Sequence, residues 1–477
     1  MNCNFAEKYA NSTRKSAEKY ATRPSKSAEK YANPLDFVKR LFHNNLMLKR
    51  RIEQILLDWK NKKTSKNCLL VKGARQVGKT FIIEKFGQKN YESFIHINFE
   101  KTPTMKDIFA GNLDIETLRK QITLNIPTAK LLDRKTLIFL DEIQSCPNAR
   151  TSLKFFAEDG RYDVIASGSL LGVNYREVSS YPTGYEDEIE MHSLDFEEFL
   201  WANGVSDASI NDIKQYMEKV EPVPTAMHNK MMNFLREYIV IGGMPAVVNE
   251  FVKSGDFNEA LRIQRSIINN YMNDIAKYAP AADKAKAKAC FLSVPRQLAK
   301  ENKKFQYTLV EKKSTARKYE GSLMWLHDAG IICFCNNLTQ PETPLEGNVK
   351  DGFFKVYMKD CGLLVAMLED GTQKDIIDGN LGIYKGAIYE NLIGSIFTHN
   401  NKRLYYYAVA DRFEVDFVIR YGGKATGVEV KSGNTKAISL QLAMSESPGL
   451  RGIKLATGNV GETGNIKTFP LYMAMFL

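Results

Sequence analysis

One eight-residue segment constrains the fold of this 477-residue chain more than any other feature. The sequence GARQVGKT at residues 73–80 fits the pattern GxxxxGK[ST] at every fixed position. Residues 68–72, of which the first four are apolar, precede it as an expected strand, and a helix is expected near residues 80–87. In such a loop, glycines let backbone N–H groups surround phosphate oxygens at the N-terminus of a helix. The segment therefore predicts a phosphate-binding loop in an α/β fold.

The loop also indicates which residues bind ATP and Mg²⁺. Lys79 is expected to reach the β- and γ-phosphates and to take part in catalysis, and Thr80 is expected to ligate Mg²⁺. The remaining contacts are expected from the residues that form the loop itself, namely Gly73, Ala74, Arg75, Gln76, Val77 and Gly78. ATP and Mg²⁺ are thus the predicted cofactors.

A second motif follows the apolar strand LIFL at residues 137–140. Asp141 stands at the strand's carboxyl end, where it is expected to hold Mg²⁺ directly or through water. Glu142 follows it and can polarise a water for attack on the γ-phosphate. An acid at this position favours NTP hydrolysis over phosphate transfer to a small molecule, so a P-loop kinase is disfavoured.

Two small polar residues follow a third strand, YDVIA, at residues 162–166. Ser167 or Ser169 is expected to sense the γ-phosphate, and the sequence does not decide between them. Arg150 and Arg161 are both open as sources of a further positive charge, from the same chain or from a neighbouring subunit.

Strands alternate with helical stretches over the first half of the chain, which predicts a parallel sheet with helices on both faces. The expected strands are 68–72, 93–99, 136–140 and 162–167, and residues 186–200 predict a last strand followed by a helix. From 226 to 278 the periodicity is helical, with a break at IGGMP, residues 241–245.

These motifs resemble those of bacterial and archaeal AAA-type P-loop ATPases that carry a conserved C-terminal domain of unknown function. GARQVGKT, IFLDEIQSCP, SLDFEEFLWA and IGGMPAVV occur in that family's order, and the resemblance covers about residues 47–477. It implies an AAA-like core at 47–215 and a helical lid at 216–285. One departure concerns the turn Pro182-Thr-Gly184, because Tyr185 stands where relatives often carry a basic residue.

The last segment, residues 346–477, contains a second group of chemically capable residues. Glu390 lies on an expected helix, Asp416 on an expected strand, and Glu429-Val-Lys431 ends the next strand. This pattern resembles the PD-(D/E)xK nuclease, or restriction-endonuclease-like, α/β fold. Glu390, Asp416 and Glu429 would then converge on a second Mg²⁺, and Lys431 would orient water or stabilise charge. Asp416, Glu429 and Lys431 are the expected catalytic residues, and cleavage itself remains open.

The middle segment, residues 286–345, reads as helix, turn, helix and a strand pair of winged-helix size. Residues 311–328 would form its recognition helix, with the basic pairs at 303–304, 312–313 and 317–318 directed toward DNA phosphates. A solvated face on a helical linker domain accounts for the same charges equally well.

Residues 1–46 form a repetitive basic tail with AEKYA in three copies. Each copy offers too few apolar residues for a core, so we expect disorder or a start codon placed in repetitive DNA. A basic arm for nucleic acid or a partner is the alternative. Residues 1–66 carry sixteen Lys/Arg and six acids, a charge of +10 out of the chain's +11. The rest of the chain therefore lacks a global basic field.

Seven scattered cysteines and the lack of a long apolar segment favour a cytoplasmic protein without a membrane span. We expect an ATPase coupled to the nuclease-like domain, acting on or with DNA. The alternative is a nucleotide-dependent switch or scaffold whose C-terminal domain binds a protein or nucleic acid without cleaving it. A homo-oligomer or a protein partner is compatible with both.

Overall fold

The phosphate-binding loop lies at the carboxyl edge of a five-stranded sheet. The computed structural model describes residues 48–62, 67–169, 183–301, 303–380, 382, 384–410, 412–433 and 435–477. The repetitive segment 1–46 and Pro182 of the expected turn lie outside these ranges. Residues 48–477 belong to one compact unit.

Apolar sequences explain why the inner strands of the first sheet are buried. Its strands are β1 (Cys68–Lys72), β2 (Ser93–Asn98), β3 (Thr136–Asp141), β4 (Asp163–Gly168) and β5 (Glu186–Glu190), in the spatial order β2-β3-β4-β1-β5. Every pairing in this sheet is parallel. All six residues of β3 are buried, and the apolar run at residues 137–140 is typical of a strand between two layers of helices. The expected parallel α/β core is confirmed.

Helices cover both faces of this sheet. They are α1 (Ile52–Lys60), α2 (Lys79–Asn90), α3 (Ile115–Asn125) and α4 (Pro147–Asp159). Residues of α1 and α2 pack on Leu137 and Phe139, whereas residues of α3 and α4 pack on Ile138 and Leu140. Because adjacent strand residues point to opposite faces, α1 and α2 cover one face and α3 and α4 the other.

Five further helices follow the first sheet. They are α5 (Phe196–Ala202), α6 (Asp207–Lys219), α7 (Thr225–Ile241), α8 (Pro245–Ser254) and α9 (Phe257–Tyr278). The break between α7 and α8 falls at the glycines of IGGMP, as expected. A Cβ atom on Gly243 would lie 1.9 Å from the Leu194 carbonyl oxygen, so only glycine fits this approach.

The middle segment contains α10 (Lys284–Leu298), α11 (Tyr307–Val310) and α12 (Ala316–Asp328). The hairpin of β6 (Ile332–Leu338) and β7 (Val349–Met358) follows, and it spans the predicted boundary between residues 345 and 346. The recognition helix was expected at residues 311–328, and the helix in the structure, α12, begins at Ala316. A winged-helix role for this segment stays a prediction, and so do the predicted domain boundaries.

The second sheet is mixed and has eight strands. Besides β6 and β7 it contains β8 (Leu404–Val409), β9 (Phe413–Tyr421), β10 (Lys424–Lys431), β11 (Arg451–Ala456), β12 (Gly461–Thr463) and β13 (Ile466–Pro470). The spatial order is β12-β13-β11-β10-β9-β8-β6-β7. Its helices are α13 (Cys361–Ala366), α14 (Thr372–Asp378), α15 (Lys385–His399) and α16 (Ile438–Glu446). Strand β6 pairs with β8 in parallel, so the β6–β7 hairpin extends the C-terminal sheet.

Short 3₁₀ helices complete the elements, at Pro103–Phe109, Ile143–Ser145, Leu345–Asn348 and Leu471–Phe476. Within the described ranges, every helix is too short or too polar to cross a membrane. The cytoplasmic location stays a prediction.

Candidate functional site

The phosphate-binding loop has the backbone that its glycines predict. Gly73 has a φ of 148°, and a Cβ atom there would lie 2.1 Å from the Met191 carbonyl oxygen. Gly78 has a φ of 95° and directly precedes the first residue of α2. Both positions need glycine, since side chains rarely adopt this backbone region and Gly73 has no space for one. The loop therefore ends at a helix N-terminus, which favours bound anions.

Lys79 points into the loop that it follows. Its Nζ atom donates to the Gly73 and Ala74 carbonyl oxygens, at 2.8 Å each. Burial lowers the pKa of Lys79 to about 8, although Glu142 and Asp141 act in the opposite direction. The ammonium is thus held inside the loop, where the β- and γ-phosphates are expected.

Thr80 and Asp141 lie together, although 61 positions separate them in sequence. The Thr80 hydroxyl donates to Asp141 Oδ2 at 3.0 Å, and the Ser167 hydroxyl donates to Oδ1. Burial acts to raise the pKa of Asp141, but His96, Ser167 and Thr80 outweigh it and hold that pKa below its usual value. A hydroxyl beside an ionised carboxylate fits Mg²⁺ by donor type.

Glu142 has an unusual backbone conformation for a non-glycine residue, with a φ of 54°. Its Oε2 accepts from Gln144 Nε2 at 2.6 Å and from the Ser169 hydroxyl at 3.3 Å. Left-handed conformations cost about 1–3 kcal/mol and cluster at functional sites. The carboxylate is therefore fixed by neighbours beside Asp141, where an attacking water would be oriented.

The two expected phosphate sensors have different partners. Ser167 donates to the carboxylate of Asp141, whereas Ser169 donates to that of Glu142. The guanidinium of Arg150 is paired with Glu186, and Arg161 is paired with acidic residues at the end of α4 and in α3. That one of these two serines senses the γ-phosphate stays a prediction.

Two residues of β2 belong to this site and were not predicted from the sequence. Asn98 Nδ2 donates to Asp141 Oδ2 at 2.7 Å. His96 lies with Nε2 3.4 Å from the same oxygen and stacks on Phe139 at 4.7 Å between ring centroids. The sequence did contain a signal, since His96 and Asn98 are polar residues at alternating positions near the end of the apolar strand SFIHIN. Alternating residues share one face of a strand, and β2 pairs in parallel with β3, so both side chains lie beside the end of β3.

A second candidate site lies between α15 and β9. Carboxylate oxygens of Glu390, Glu414 and Asp416 lie within 4.8 Å of one another. Glu390 and Asp416 were expected to meet there, and Glu414 was not predicted. The two residues of β9 are two positions apart, so they share one face of the strand. We call these three residues the carboxylate cluster.

Lysine side chains neutralise the carboxylate cluster. Lys355 is fully buried, and its Nζ atom lies 2.9 Å from Glu390 Oε1 and 2.5 Å from Glu414 Oε1. Lys303 pairs with the other oxygen of Glu390. Burial acts to raise the pKa of Glu390, but these two ammonium groups outweigh it and lower that pKa. Burial and the Glu390 charge raise the pKa of Asp416 to about 7.

The remaining predicted residues lie on the adjoining strand β10. Glu429 Oε2 accepts from the Leu440 backbone N–H at 2.9 Å, in the first turn of α16, and Oε1 lies 2.6 Å from Lys431 Nζ. Asp416 Oδ2 accepts from the Val430 N–H at 2.8 Å. Glu429 therefore has partners of its own, and Glu414 is the third residue of the carboxylate cluster where Glu429 was expected.

The donor set of the carboxylate cluster fits a divalent cation, because carboxylate oxygens are the ligands that Mg²⁺ and Mn²⁺ prefer. The ammonium groups of Lys303 and Lys355 contact carboxylate oxygens of Glu390 and Glu414. A bound metal ion would therefore displace at least one of these ammonium groups from its carboxylate.

Comparisons with known proteins divide the chain into three matched regions. Residues 65–200 match the family described as an AAA domain. Residues 232–374 match a domain of unknown function, DUF8612, and residues 385–462 match another, DUF4143. A search of the curated proteins finds no match.

Solved structures show distant similarity. A Walker-type ATPase of Pyrococcus abyssi is 14% identical, with a TM-score of 0.38 over 67% of this chain and 96% of that one. The Aeropyrum pernix ORC2 protein, in complexes with ADPNP and ADP, is 12% identical, with a TM-score of 0.35 over 72% and 97%. The A. pernix ORC1 protein bound to DNA is 11% identical, with a TM-score of 0.29 over 69% and 96%. The family match over residues 65–200, together with the loop geometry, supports a P-loop ATPase of the AAA type.

Proposed function

We propose that this chain is a Mg²⁺-dependent ATPase of the AAA type, coupled to a nuclease-like C-terminal domain and acting on or with DNA. The observation that carries the ATPase part is the Thr80–Asp141 hydrogen bond beside the fixed carboxylate of Glu142. It joins the phosphate-binding loop, a Mg²⁺ ligand pair and a water-orienting group at one edge of the sheet.

Each residue of this group has a distinct role in the proposed reaction. Lys79 binds the β- and γ-phosphates and stabilises charge on the transferred phosphoryl group. Thr80 and Asp141 hold Mg²⁺, which neutralises phosphate charge when it is bound. Glu142 orients the attacking water and accepts its proton. Ser169 keeps the carboxylate in place by donating to it.

The nuclease-like part of the proposal rests on topology and on the carboxylate cluster. Helix α15, strands β8, β9 and β10, helix α16 and strand β11 follow one another in the chain. Glu390 on α15 and Asp416 on β9 lie within reach of one cation, and Glu429 and Lys431 end the next strand. We propose Glu390, Asp416 and Glu414 as the metal ligands, with Lys431 and Glu429 beside them.

The DNA part of the proposal rests on exposed basic residues before and within α12. Lys312, Lys313 and Arg317 are exposed, whereas Lys303 is directed to Glu390 and Lys304 stacks over Phe353. The exposed residues are free to meet phosphates, as the winged-helix prediction requires. A homo-oligomer or a protein partner stays a prediction.

ATP turnover with and without double- and single-stranded DNA tests this proposal, with DNA integrity scored in the same tubes. We expect DNA to stimulate hydrolysis, and Mn²⁺- or Mg²⁺-dependent nicking to disappear in Asp416→Ala. Asp375→Ala is the matched control, because this acid is exposed on α14. Basal hydrolysis without a DNA response, with intact DNA, would contradict the coupling and indicate a nucleotide-dependent switch.

A second comparison isolates the DNA contact from non-specific charge. Replacing Lys312 and Lys313 by Ala removes two charges before α12, and replacing Lys214 and Lys219 by Ala removes two exposed charges from α6. We expect DNA stimulation to fall in the first double variant alone. Equal losses in both would show that general charge, rather than this surface, binds DNA.

A further inference from the structure

Arg75 connects the phosphate-binding loop to helix α9. Its guanidinium donates to Asp274 Oδ1 at 2.9 Å and to the Tyr278 hydroxyl at 3.1 Å. The Tyr271 hydroxyl donates to the Arg75 carbonyl oxygen at 3.2 Å. Residues three and four positions apart share one face of a helix, so these three α9 residues form a single face that contacts the loop.

The same guanidinium also contacts the hydrolytic residues. Arg75 Nε donates to the Ser169 hydroxyl at 3.2 Å, and that hydroxyl donates to Glu142 Oε2 at 3.3 Å. Ser169 therefore accepts from a cation and donates to an anion, which polarises the hydroxyl in one direction. A continuous hydrogen-bonded chain runs from Asp274 through Arg75 and Ser169 to Glu142.

The N-terminal half of α9 contacts other parts of the molecule. Gln264, which is buried, donates from Nε2 to the carbonyl oxygens of Val240 and Ile241 at 2.8 and 2.9 Å. Arg265 pairs with Asp370 in the connection between α13 and α14. A shift of α9 that begins at these contacts would reach the guanidinium of Arg75.

We propose that Arg75 is a positioning residue for ATP hydrolysis, through which α9 sets the placement of Ser169 and Glu142. This inference rests on the proposed ATPase activity and names how the rest of the chain regulates it. A planar guanidinium can serve Asp274, Tyr278 and Ser169 at once, whereas a lysine ammonium lacks this fork geometry. Displacing α9 moves the guanidinium, so the Ser169 hydroxyl that donates to Glu142 loses the donor that orients it.

Steady-state ATP hydrolysis by the full chain tests this role. We expect Arg75→Lys to lower kcat by about 10- to 100-fold, because small misplacement of a reacting group has effects of that size. The KM for ATP should stay within about threefold, since the phosphate contact expected of Arg75 comes from its backbone, whereas its side chain contacts Ser169 and Asp274. Asp274→Asn, which alters the contact from the α9 side, should lower kcat by a smaller factor.

A double-mutant cycle separates positioning from a general structural effect. If Arg75 acts through Ser169, Arg75→Lys combined with Ser169→Ala should lose little more activity than the stronger single variant. Arg262→Lys is the matched control on the same helix, because Arg262 is exposed and pairs with Glu259. Its kcat should equal that of the wild type.

The outcomes distinguish this inference from the proposed function. An inactive wild type would overturn the ATPase proposal itself. An active wild type whose Arg75→Lys variant changes only KM, or whose cycle with Ser169→Ala is additive in kcat, would overturn the relay through Arg75 and leave the ATPase proposal intact.

Discussion

Replacing the buried lysine of the carboxylate cluster should destabilise the protein strongly. Lys355 is fully buried and contacts Glu390 and Glu414. In Lys355→Met the side chain keeps a similar length but loses its charge, so the buried carboxylate of Glu390 and the half-buried carboxylate of Glu414 lose the ammonium that they share. Mutual repulsion of like charges then adds to the cost of burying them.

The expected magnitude follows from the burial of the pair. Breaking a buried ion pair by removing one partner costs about 3–5 kcal/mol of unfolding free energy. Replacing both partners together, in Lys355→Met with Glu390→Gln, should recover part of that loss, because the fully buried carboxylate is then neutral while Glu414 and Lys303 keep their charges. Lys350→Met on the same strand is the control, since Lys350 is exposed and should change stability by less than about 0.5 kcal/mol.

Urea denaturation of the full chain measures these differences, with and without Mn²⁺. In Lys355→Met a divalent cation can take the place of the lost ammonium. Mn²⁺ at 100 times its dissociation constant would then restore about 2.7 kcal/mol. If Lys355→Met is as stable as Lys350→Met, the argument from buried charge is wrong. If Lys355→Met is destabilised but Mn²⁺ does not raise its free energy of unfolding, the proposed metal site is wrong.

Three further changes have defined outcomes. Lys79→Ala should abolish ATP binding in equilibrium titration, because the loop loses its ammonium; normal affinity would contradict the site. Gly243→Ala should lower the unfolding free energy by about 1–3 kcal/mol in urea, because its Cβ atom would overlap the Leu194 carbonyl oxygen. Because the raised pKa of Asp416 lets the folded protein hold a proton between pH 3.8 and about 7, stability from this group falls as pH rises through that window. In Asp416→Asn the free energy of unfolding should decrease less between pH 5 and pH 8 than it does in the wild type. Equal decreases in the two proteins, measured from unfolding curves at both pH values, would contradict this prediction.

The sequence predicted the parts of the fold that depend on local patterns. GARQVGKT required a strand before it and a helix after it, and both are present as β1 and α2. The apolar run before Asp141 predicted a buried strand, and it forms β3, whose successive residues face helices on the two sides of the sheet. Thr80 and Asp141 are hydrogen-bonded in the structure, and the roles of Lys79, Thr80 and Asp141 toward ATP and Mg²⁺ stay predictions.

Residues that were missed depend on contacts between distant segments. Lys355 lies on β7 and Lys303 precedes α11, yet both contact Glu390. Strand β7 enters the C-terminal sheet because β6 pairs in parallel with β8, and no local pattern indicates that pairing. The side chain of Arg75 was missed for a related reason, since its partner Asp274 lies 199 positions away.

Paired measurements on Glu142→Gln test most directly whether Glu142 orients the water that hydrolyses ATP. Equilibrium titration should show that this variant still binds ATP, since Lys79 and Thr80 are unchanged. Steady-state turnover should fall by about 10²- to 10⁴-fold, the usual contribution of a general base. Turnover equal to that of the wild type would contradict the account.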